Sequence, residues 1–199
     1  MARTRASDFE EKQHGLLLSA AAVFAEQGME KASMAQIAIR SGVSKALLYH
    51  YYPSKDVLIF AIVHEHLVDL EAAVADAIDP GLAPEAQLRR LVGVVLEKYR
   101  GADDAHKVQL VGTSALTEEQ RGEIRAVERQ IVRHFAGVLK RVRPDLDRPE
   151  RPLLMPVTMS LFGMMNWVYM WFDDGGAVSR EDYAEVATTL ILEGIKGVR

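Results

Sequence analysis

The segment from Ser33 to Lys55 constrains the fold of this chain most strongly, because it holds two short helical patterns separated by a glycine. Ser33 and Gln36 have the spacing of a capping box, which predicts that a helix begins immediately after Ser33. Gly42 lies where a turn of three or four residues needs a positive φ angle, which glycine adopts at little cost. Ser44 has the position of an N-cap for the second helix. The segment is therefore predicted to fold as a helix-turn-helix.

The second of these helices carries polar side chains. We expect Leu47 and Leu48 to be buried in the core, and the side chains that remain accessible are Lys45, Tyr49, His50 and Tyr51. A helix from Ser44 to Tyr51 is about 12 Å long at about 1.5 Å per residue. The major groove of DNA is about 12 Å wide, and lysine, histidine and tyrosine can contact its base edges or the flanking phosphates. The pattern is typical of a helix that recognises DNA.

Three motifs and the preceding helix together resemble a known family. The helix ends in LSAAAVFAEQGMEKAS, and the motifs are S-M-x-x-I-A from Ser33, S-G-V-S from Ser41 and L-Y-x-(aromatic)-(aromatic)-x-S-K from Leu48. This set resembles the DNA-binding domain of TetR/AcrR-type transcriptional regulators over roughly the first quarter of the chain. The family often has phenylalanine where Tyr51 or Tyr52 stands, which leaves open which tyrosine packs in the core.

The resemblance implies a set of DNA-contacting residues. In the family, the positions that match these motifs contact base edges or phosphates. In this chain the candidates are Ser33, Arg40, Ser44, Lys45, Tyr49, His50, Tyr51 and Lys55. We expect Arg40, Tyr51 and Lys55, together with Ser33, to contact phosphates, and Lys45, Tyr49 and His50 to contact bases or the backbone.

Charge and cysteine content limit the alternatives. The net charge is −4, but residues 1–55 carry seven Lys/Arg against five Asp/Glu, whereas the rest carries 17 against 23. A mildly basic N-terminal part suits a protein that contacts DNA at one end, although an excess this small also arises by chance. The chain has no cysteine and no apolar run of a signal peptide near its first residue. We therefore expect a cytoplasmic protein.

Helical periodicity continues through the rest of the chain, and no segment has the two-residue period of a strand. Arg3 and Arg5 lie in a predicted unstructured arm, which either contacts DNA or has no role. The other predicted helices span about 8–27, 53–78, 84–99, 106–114, 117–142 and 153–172, and a last one begins after Ser179. We thus expect an all-α, nine-helix architecture of the TetR type. Residues 1–54 would form the DNA-binding domain and residues 55–199 a ligand-binding and dimerisation domain.

The segment Leu153–Phe172 contains no charged residue over twenty positions, which is near the length of a membrane span. Pro156, Gly163 and three polar residues interrupt it, and two aspartates follow it. We therefore expect a buried helix instead, with one side toward a partner subunit and the other toward an internal cavity. In the last helix we expect inward-facing side chains at Tyr183, Val186, Ala187, Leu190, Ile191 and Ile195. A single helix-turn-helix makes too few contacts for selectivity. We therefore expect a homodimer through the last two helices that binds a palindromic operator of double-stranded DNA.

Aromatic and methionine side chains are concentrated in the second half of the chain. They predict an adaptable apolar pocket, although ordinary core packing explains such a composition equally well. The candidate ligand-binding residues are Tyr99, Phe135, Phe162, Met165, Asn166, Trp167 and Met170. The run LFGMMNWVYMWF, followed by a Gly-Gly loop, resembles TetR-type regulators of fatty-acid, steroid-ring or aromatic-acid breakdown. That resemblance implies a CoA thioester as the small-molecule effector.

Four arginines recur at every fourth position of the predicted seventh helix: Arg121, Arg125, Arg129 and Arg133. Such a run is usually a solvated face that nearby glutamates neutralise. The alternative is a binding site for an anionic group such as the phosphates of CoA.

No pattern for catalysis, metal binding or a cofactor is present in the sequence. His64 and His66 point to different sides of one helix, and no phosphate-binding loop or nucleophile motif occurs. We expect neither enzymatic activity nor a cofactor. The predicted function is a ligand-responsive repressor that its effector releases from DNA. The alternative is a helical scaffold protein that does not bind DNA.

Overall fold

The computed structural model describes the backbone of residues 2–198 and the side chains of residues 12–198. In this part of the chain the main elements are nine α-helices: α1 Ala2–Gln27, α2 Met34–Arg40, α3 Lys45–Tyr51, α4 Lys55–Asp76, α5 Pro84–Tyr99, α6 Asp103–Gly112, α7 Glu118–Val142, α8 Leu154–Asn166 and α9 Arg180–Gly197. Short 3-10 helices follow α6, α7 and α8. The predicted all-α, nine-helix fold is confirmed.

The secondary structure differs from the sequence prediction in several places. α1 begins at Ala2 rather than near residue 8, so the backbone around Arg3 and Arg5 is helical. The side chains of these two arginines lie outside the described residues, and their contact with DNA stays a prediction. Two very short strands, β1 (Asp147–Arg148) and β2 (Arg151–Pro152), pair antiparallel in the proline-rich connection before α8. Two-residue strands are too short to produce a period in the sequence.

α8 is also shorter than expected. It ends at Asn166, and a 3-10 helix over Val168–Met170 replaces the predicted continuation. The residues after Asn166 are tryptophan, valine and tyrosine, which favour a helix less than the leucine and methionine of α8. Thr158 and Ser160 donate their hydroxyls to carbonyls of their own helix, which pairs these polar groups within an apolar sequence. No helix among residues 2–198 is long and apolar enough to cross a membrane.

By packing, the chain divides into two compact units. The first unit contains residues 1–67 and 101–125, and the second contains residues 68–100 and 126–199. The division predicted at residues 54 and 55 stays a prediction; the first unit also takes in the start of α4, α6 and the start of α7. α4 and α7 are continuous helices with residues in both units.

The core of the first unit is formed where α1 packs against α2 and α6. Phe24, Ile37, Leu48 and Ile59 are almost completely buried in it. Gly112 allows α6 to approach α4 closely, because a Cβ atom at this position would lie 2.9 Å from the Ile59 side chain. This unit holds the helix-turn-helix and supports it from behind.

The core of the second unit is formed by α5, α8 and α9. Arg180, at the start of α9, is only 4% exposed. Its guanidinium donates two hydrogen bonds of 2.7 Å to the Asp174 carboxylate and one of 3.0 Å to the Leu96 carbonyl. These bonds with Arg180 are the main reason that the pKa of Asp174 is lowered. Arg180 therefore fixes the loop before α9 to the C-terminal part of α5.

α8 and α9 of the second unit each have an exposed apolar face. Met155 and Met159 of α8 are about half exposed, as are Val186 and Leu190 of α9 (49–60%). The expectation that Val186 and Leu190 point into the core was wrong. For α8, the expectation that one side faces a partner subunit stays a prediction. Each pair has the i, i+4 spacing that puts both side chains on one face of a helix. The apolar stripe of each helix is wide enough to supply both a core face and an exposed face.

Candidate nucleic-acid interface and ligand site

A glycine turn sets the angle between α2 and α3. Gly42 has φ +65°, and its N–H donates to the Ile39 carbonyl. The N–H of Val43 donates to the Ala38 carbonyl at 3.0 Å, which completes a Schellman motif at the end of α2. The predicted role of Gly42 is confirmed. The turn fixes where α3 begins.

The two serines cap the helices as predicted. The Ser33 hydroxyl accepts the N–H of Gln36, and the Gln36 side chain accepts the N–H of Ser33. The Ser44 hydroxyl accepts the N–H of Leu47 at 3.1 Å. Both serines are exposed. Their contact with DNA phosphates stays a prediction, and their capping role alone explains why serine occupies these positions.

Two residues attach α3 to the rest of the first unit: Leu48 within the helix and Tyr52, which caps its end. Leu48 is fully buried, and Tyr52 is 4% exposed with its hydroxyl accepting a hydrogen bond from Gln13. Burial raises the pKa of Tyr52. Tyr52 is therefore the tyrosine that packs in the core, and Tyr51 remains partly accessible.

The exposed surface of α3 carries the predicted base-contacting residues. Lys45, Tyr49 and His50 are exposed. The Lys45 ammonium lies 5.8 Å from the centre of the Tyr49 ring, and the His50 and Tyr51 rings meet edge to face at 5.4 Å. Between Glu30 and Asp56 the sequence has four basic residues and no acidic one. One of these charges, Lys45, lies on α3 itself, beside the hydrogen-bonding side chains of Tyr49 and His50, and this combination suits DNA.

Leu47 does not lie in the core. Its side chain is 40% exposed, whereas Leu48 beside it is fully buried. A seven-residue helix anchored by one leucine turns the neighbouring residue by about 100°, out of the core and toward the solvent. The prediction that Leu47 is a core residue was wrong.

Two predicted phosphate contacts have partners within the chain. The exposed Arg40 pairs with Glu26 at 2.6 Å, and this bond is the main reason that the pKa of Arg40 is raised. Surface ion pairs are weak, so a phosphate can replace the glutamate. The Lys55 ammonium donates to the carbonyls of Met29, Glu30 and Ala32. Lys55 thus holds the connection that leads into α2, and its contact with DNA stays a prediction.

The candidate ligand residues divide into a buried and an exposed group. Tyr99, Phe135, Phe162 and Met165 are at most 6% exposed. The Phe135 and Phe162 rings meet edge to face at 5.0 Å, and Phe162 is one helical turn from Asn166. Trp167 and Met170 are more than half exposed, beyond the end of α8.

One polar pair lies beside the buried aromatic side chains. The Tyr99 hydroxyl donates to the Asn166 side-chain oxygen at 2.9 Å. Burial is the main reason that the pKa of Tyr99 is raised, so the phenol stays protonated at neutral pH and remains a hydrogen-bond donor. A neutral donor next to an amide in an apolar setting is suited to bind a carbonyl group rather than a free anion.

The arginine row on α7 is partly neutralised. Arg121 and Arg125 both pair with Glu118, and bonds from Arg125 and then Arg121 lower the pKa of that carboxylate. This agrees with a solvated, ion-paired face. Arg129 and Arg133, farther along α7, are exposed. Among the described residues, no group of three or more His, Cys, Asp or Glu is arranged to hold a metal ion.

The family of the chain follows from comparison with known proteins. Residues 16–62 match the family described as "Bacterial regulatory proteins, tetR family", and residues 81–195 match "Tetracyclin repressor-like, C-terminal domain". The helix-turn-helix and the helical unit that follows thus correspond to the two domains of one class of DNA-binding transcriptional regulators. The chain belongs to the TetR family.

Two curated relatives and two solved structures are similar. The regulator RutR of Escherichia coli is 29% identical over 65% of this chain, and the matched region spans 62% of RutR. The repressor KstR2 of Rhodococcus jostii is 25% identical over 90% of this chain and 89% of its own length.

A TetR-family regulator from Bordetella parapertussis has a TM-score of 0.83 and 32% identity, covering 92% of this chain and 95% of its own. AibR, solved with isovaleryl coenzyme A and operator DNA, has a TM-score of 0.76 and 26% identity. The match covers 90% of this chain and 97% of AibR.

The structural role of Lys55 can be tested with one substitution. Lys55→Met should lower the free energy of unfolding by about 1–3 kcal/mol, because hydrogen bonds to a charged group are lost from the connection before α2. Thermal denaturation followed by circular dichroism measures this change. Lys45→Met, at an exposed position on α3, is the matched control and should leave the melting temperature within about 1 °C. Equal stability of the two variants would contradict the structural role.

Proposed function

We propose that this regulator is a repressor that binds a palindromic operator as a homodimer and leaves it when a largely apolar effector binds. The observation that carries the proposal is the surface of α3, where Lys45, Tyr49 and His50 are exposed on a helix capped at its start and anchored from behind by Leu48. Its seven residues are about 10 Å long, which fits the major groove. The similarity to the repressor KstR2, which extends over 90% of this chain, supports repression. Like other DNA-bound regulators, the protein would act in the cytoplasm.

The dimer is proposed on the exposed apolar face of α8 and α9. Met155, Met159, Val186 and Leu190 present about half of their surface to solvent. Apolar area buried between subunits contributes about 25 cal/mol per Å². A two-fold pair that packs these faces together would form a four-helix interface. We propose that such a dimer binds an operator whose two half-sites lie about 34 Å apart, one turn of DNA.

The effector is proposed to bind beside Tyr99 and Asn166, and an acyl-CoA is the leading candidate. The buried Phe135, Phe162 and Met165 suit an acyl chain. A thioester carbonyl would replace the Asn166 oxygen as the acceptor of the Tyr99 hydroxyl. The similarity to AibR, which was solved with isovaleryl coenzyme A, supports this class. The exposed Arg129 and Arg133 would then meet the CoA phosphates.

Release from DNA needs only a modest coupling between the two sites. A hundredfold loss of operator affinity corresponds to about 2.7 kcal/mol, within the usual range of about 1–3 kcal/mol. α4 is the proposed connection between the effector site and α3. Only three residues separate it from α3, and it continues into the unit that contains Tyr99.

Operator binding is tested by removing two exposed side chains of α3. The wild-type protein should enrich one palindromic sequence from a random duplex library, and gel shifts then measure affinity for that operator. The double variant Tyr49→Ala/His50→Ala should lose at least about a hundredfold in affinity, because each base contact is worth about 1–3 kcal/mol. Sedimentation should still give a dimer. The control is Lys98→Ala, an exposed basic residue of the second unit, which should bind normally. Retained specific binding by the double variant would refute the role of α3, and no enrichment by wild type would favour a scaffold protein.

The dimer face is tested by Leu190→Glu. In a two-fold interface the substitution buries two carboxylates, so we expect a monomer at micromolar concentration in sedimentation velocity. Val111→Glu changes an equally exposed apolar residue of α6 (62% exposed) and should remain dimeric. A wild-type monomer, or a dimeric Leu190→Glu variant, would count against this interface.

The effector class is tested by titrating the operator complex with free CoA and with acyl-CoAs of increasing chain length. An acyl-CoA should release the operator, whereas free CoA should not. Tyr99→Phe should weaken this response about five- to tenfold, the loss of one buried hydrogen bond of about 1–1.5 kcal/mol, without changing operator affinity in the absence of effector. Isothermal titration in which no acyl-CoA binds would remove this class.

A further inference from the structure

A groove borders α3 on the side that faces α1. Its volume is about 320 Å³, and its walls come from α1, from the turn after α2 and from α3. The lining residues are Lys12, Gln13, Gly15, Leu16, Ser41, Val43, Leu47 and Tyr51. Of these residues, the sequence identified only Tyr51 as a DNA contact. The positions of the others gave no signal, because the groove forms only when three elements meet.

Leu47 is the residue of α3 that lines this groove with an apolar side chain. At about 100° per residue, Leu48 points to the core, and Ala46 and His50 point away from it. Leu47 and Tyr51 are one turn apart and lie between the core-facing side of α3 and its outward-facing side, on the side that lines the groove. The recognition surface of α3 therefore has an apolar flank next to its polar centre at His50.

The chemistry of the major groove identifies one partner for an apolar side chain. Base edges there present hydrogen-bond donors and acceptors, and the apolar group among them is the C5 methyl of thymine. Lys12, exposed at the other wall of the groove, can neutralise a phosphate of the same strand. We propose that Leu47 contacts a thymine methyl in each half-site and thereby selects thymine at that position. This inference rests on the proposed binding of an operator.

The test removes the methyl group alone. Each thymine of the enriched operator is replaced in turn by deoxyuridine, which lacks only the C5 methyl. At one symmetric position, wild type should lose about fourfold in affinity per half-site and about fifteenfold when both half-sites are changed, as expected for one buried methyl group. Leu47→Ala should bind the thymine and uracil duplexes equally. Leu47→Met, which keeps an apolar side chain, should retain most of the preference.

Lys12→Met is the matched control from the opposite wall. It should weaken binding to thymine and uracil duplexes by the same factor, because a phosphate contact carries no sequence information. The salt dependence should fall by about two units of slope, one for each subunit of the dimer. Melting temperatures within about 2 °C of wild type confirm that the variants fold.

The outcomes separate this inference from the proposed function. If wild type enriches an operator but no thymine shows a methyl effect that disappears in Leu47→Ala, the assignment of Leu47 is wrong and operator binding stands. The assignment is also wrong if Leu47→Ala lowers the affinity for thymine and uracil duplexes by the same factor at every position, so that the preference of wild type for thymine is unchanged. That result would mean that Leu47 packs on a sugar. If wild type enriches no sequence, the proposed function itself fails.

Discussion

The position of α3 depends on the turn at Gly42 and on the two helix ends that the turn joins. Gly42 adopts a positive φ angle that other residues enter only with strain, and the hydrogen bonds to Ala38 and Ile39 exist because it does. The Ser44 cap then fixes the first turn of α3, and the buried Leu48 anchors it. A helix of seven residues has little stability of its own, so this framework decides which side chains face the DNA.

Sequence patterns predicted the features that arise from neighbouring residues. The Ser33 capping box and the bounds of α5 and α7 follow from local spacing, and all three are confirmed. The role of Lys55 could not be predicted in this way, because its carbonyl partners lie more than twenty residues away. Helical periodicity also failed for Leu47 and Leu190. A period tells which side chains share a face, but it cannot tell whether that face meets the core, a partner or DNA.

The same ambiguity explains the second unit. Its excess of methionine and aromatic residues serves two purposes: Phe135 and Phe162 fill the interior, while Met159 and Leu190 remain at the surface. The buried Tyr99–Asn166 pair is a polar element beside this apolar cluster, and composition alone gave no indication of the hydrogen bond between them. Only the burial of each side chain separates the proposed effector site from the proposed dimer face.

Two copies of α3 are proposed to enter successive major grooves on one side of the operator, and the regulator function depends on this placement. Methylation interference measures it directly, because dimethyl sulfate modifies guanine N7 in the major groove and adenine N3 in the minor groove. We expect two symmetric clusters of N7 interference whose centres lie about ten base pairs apart. A single cluster, or interference confined to adenine N3, would contradict this placement.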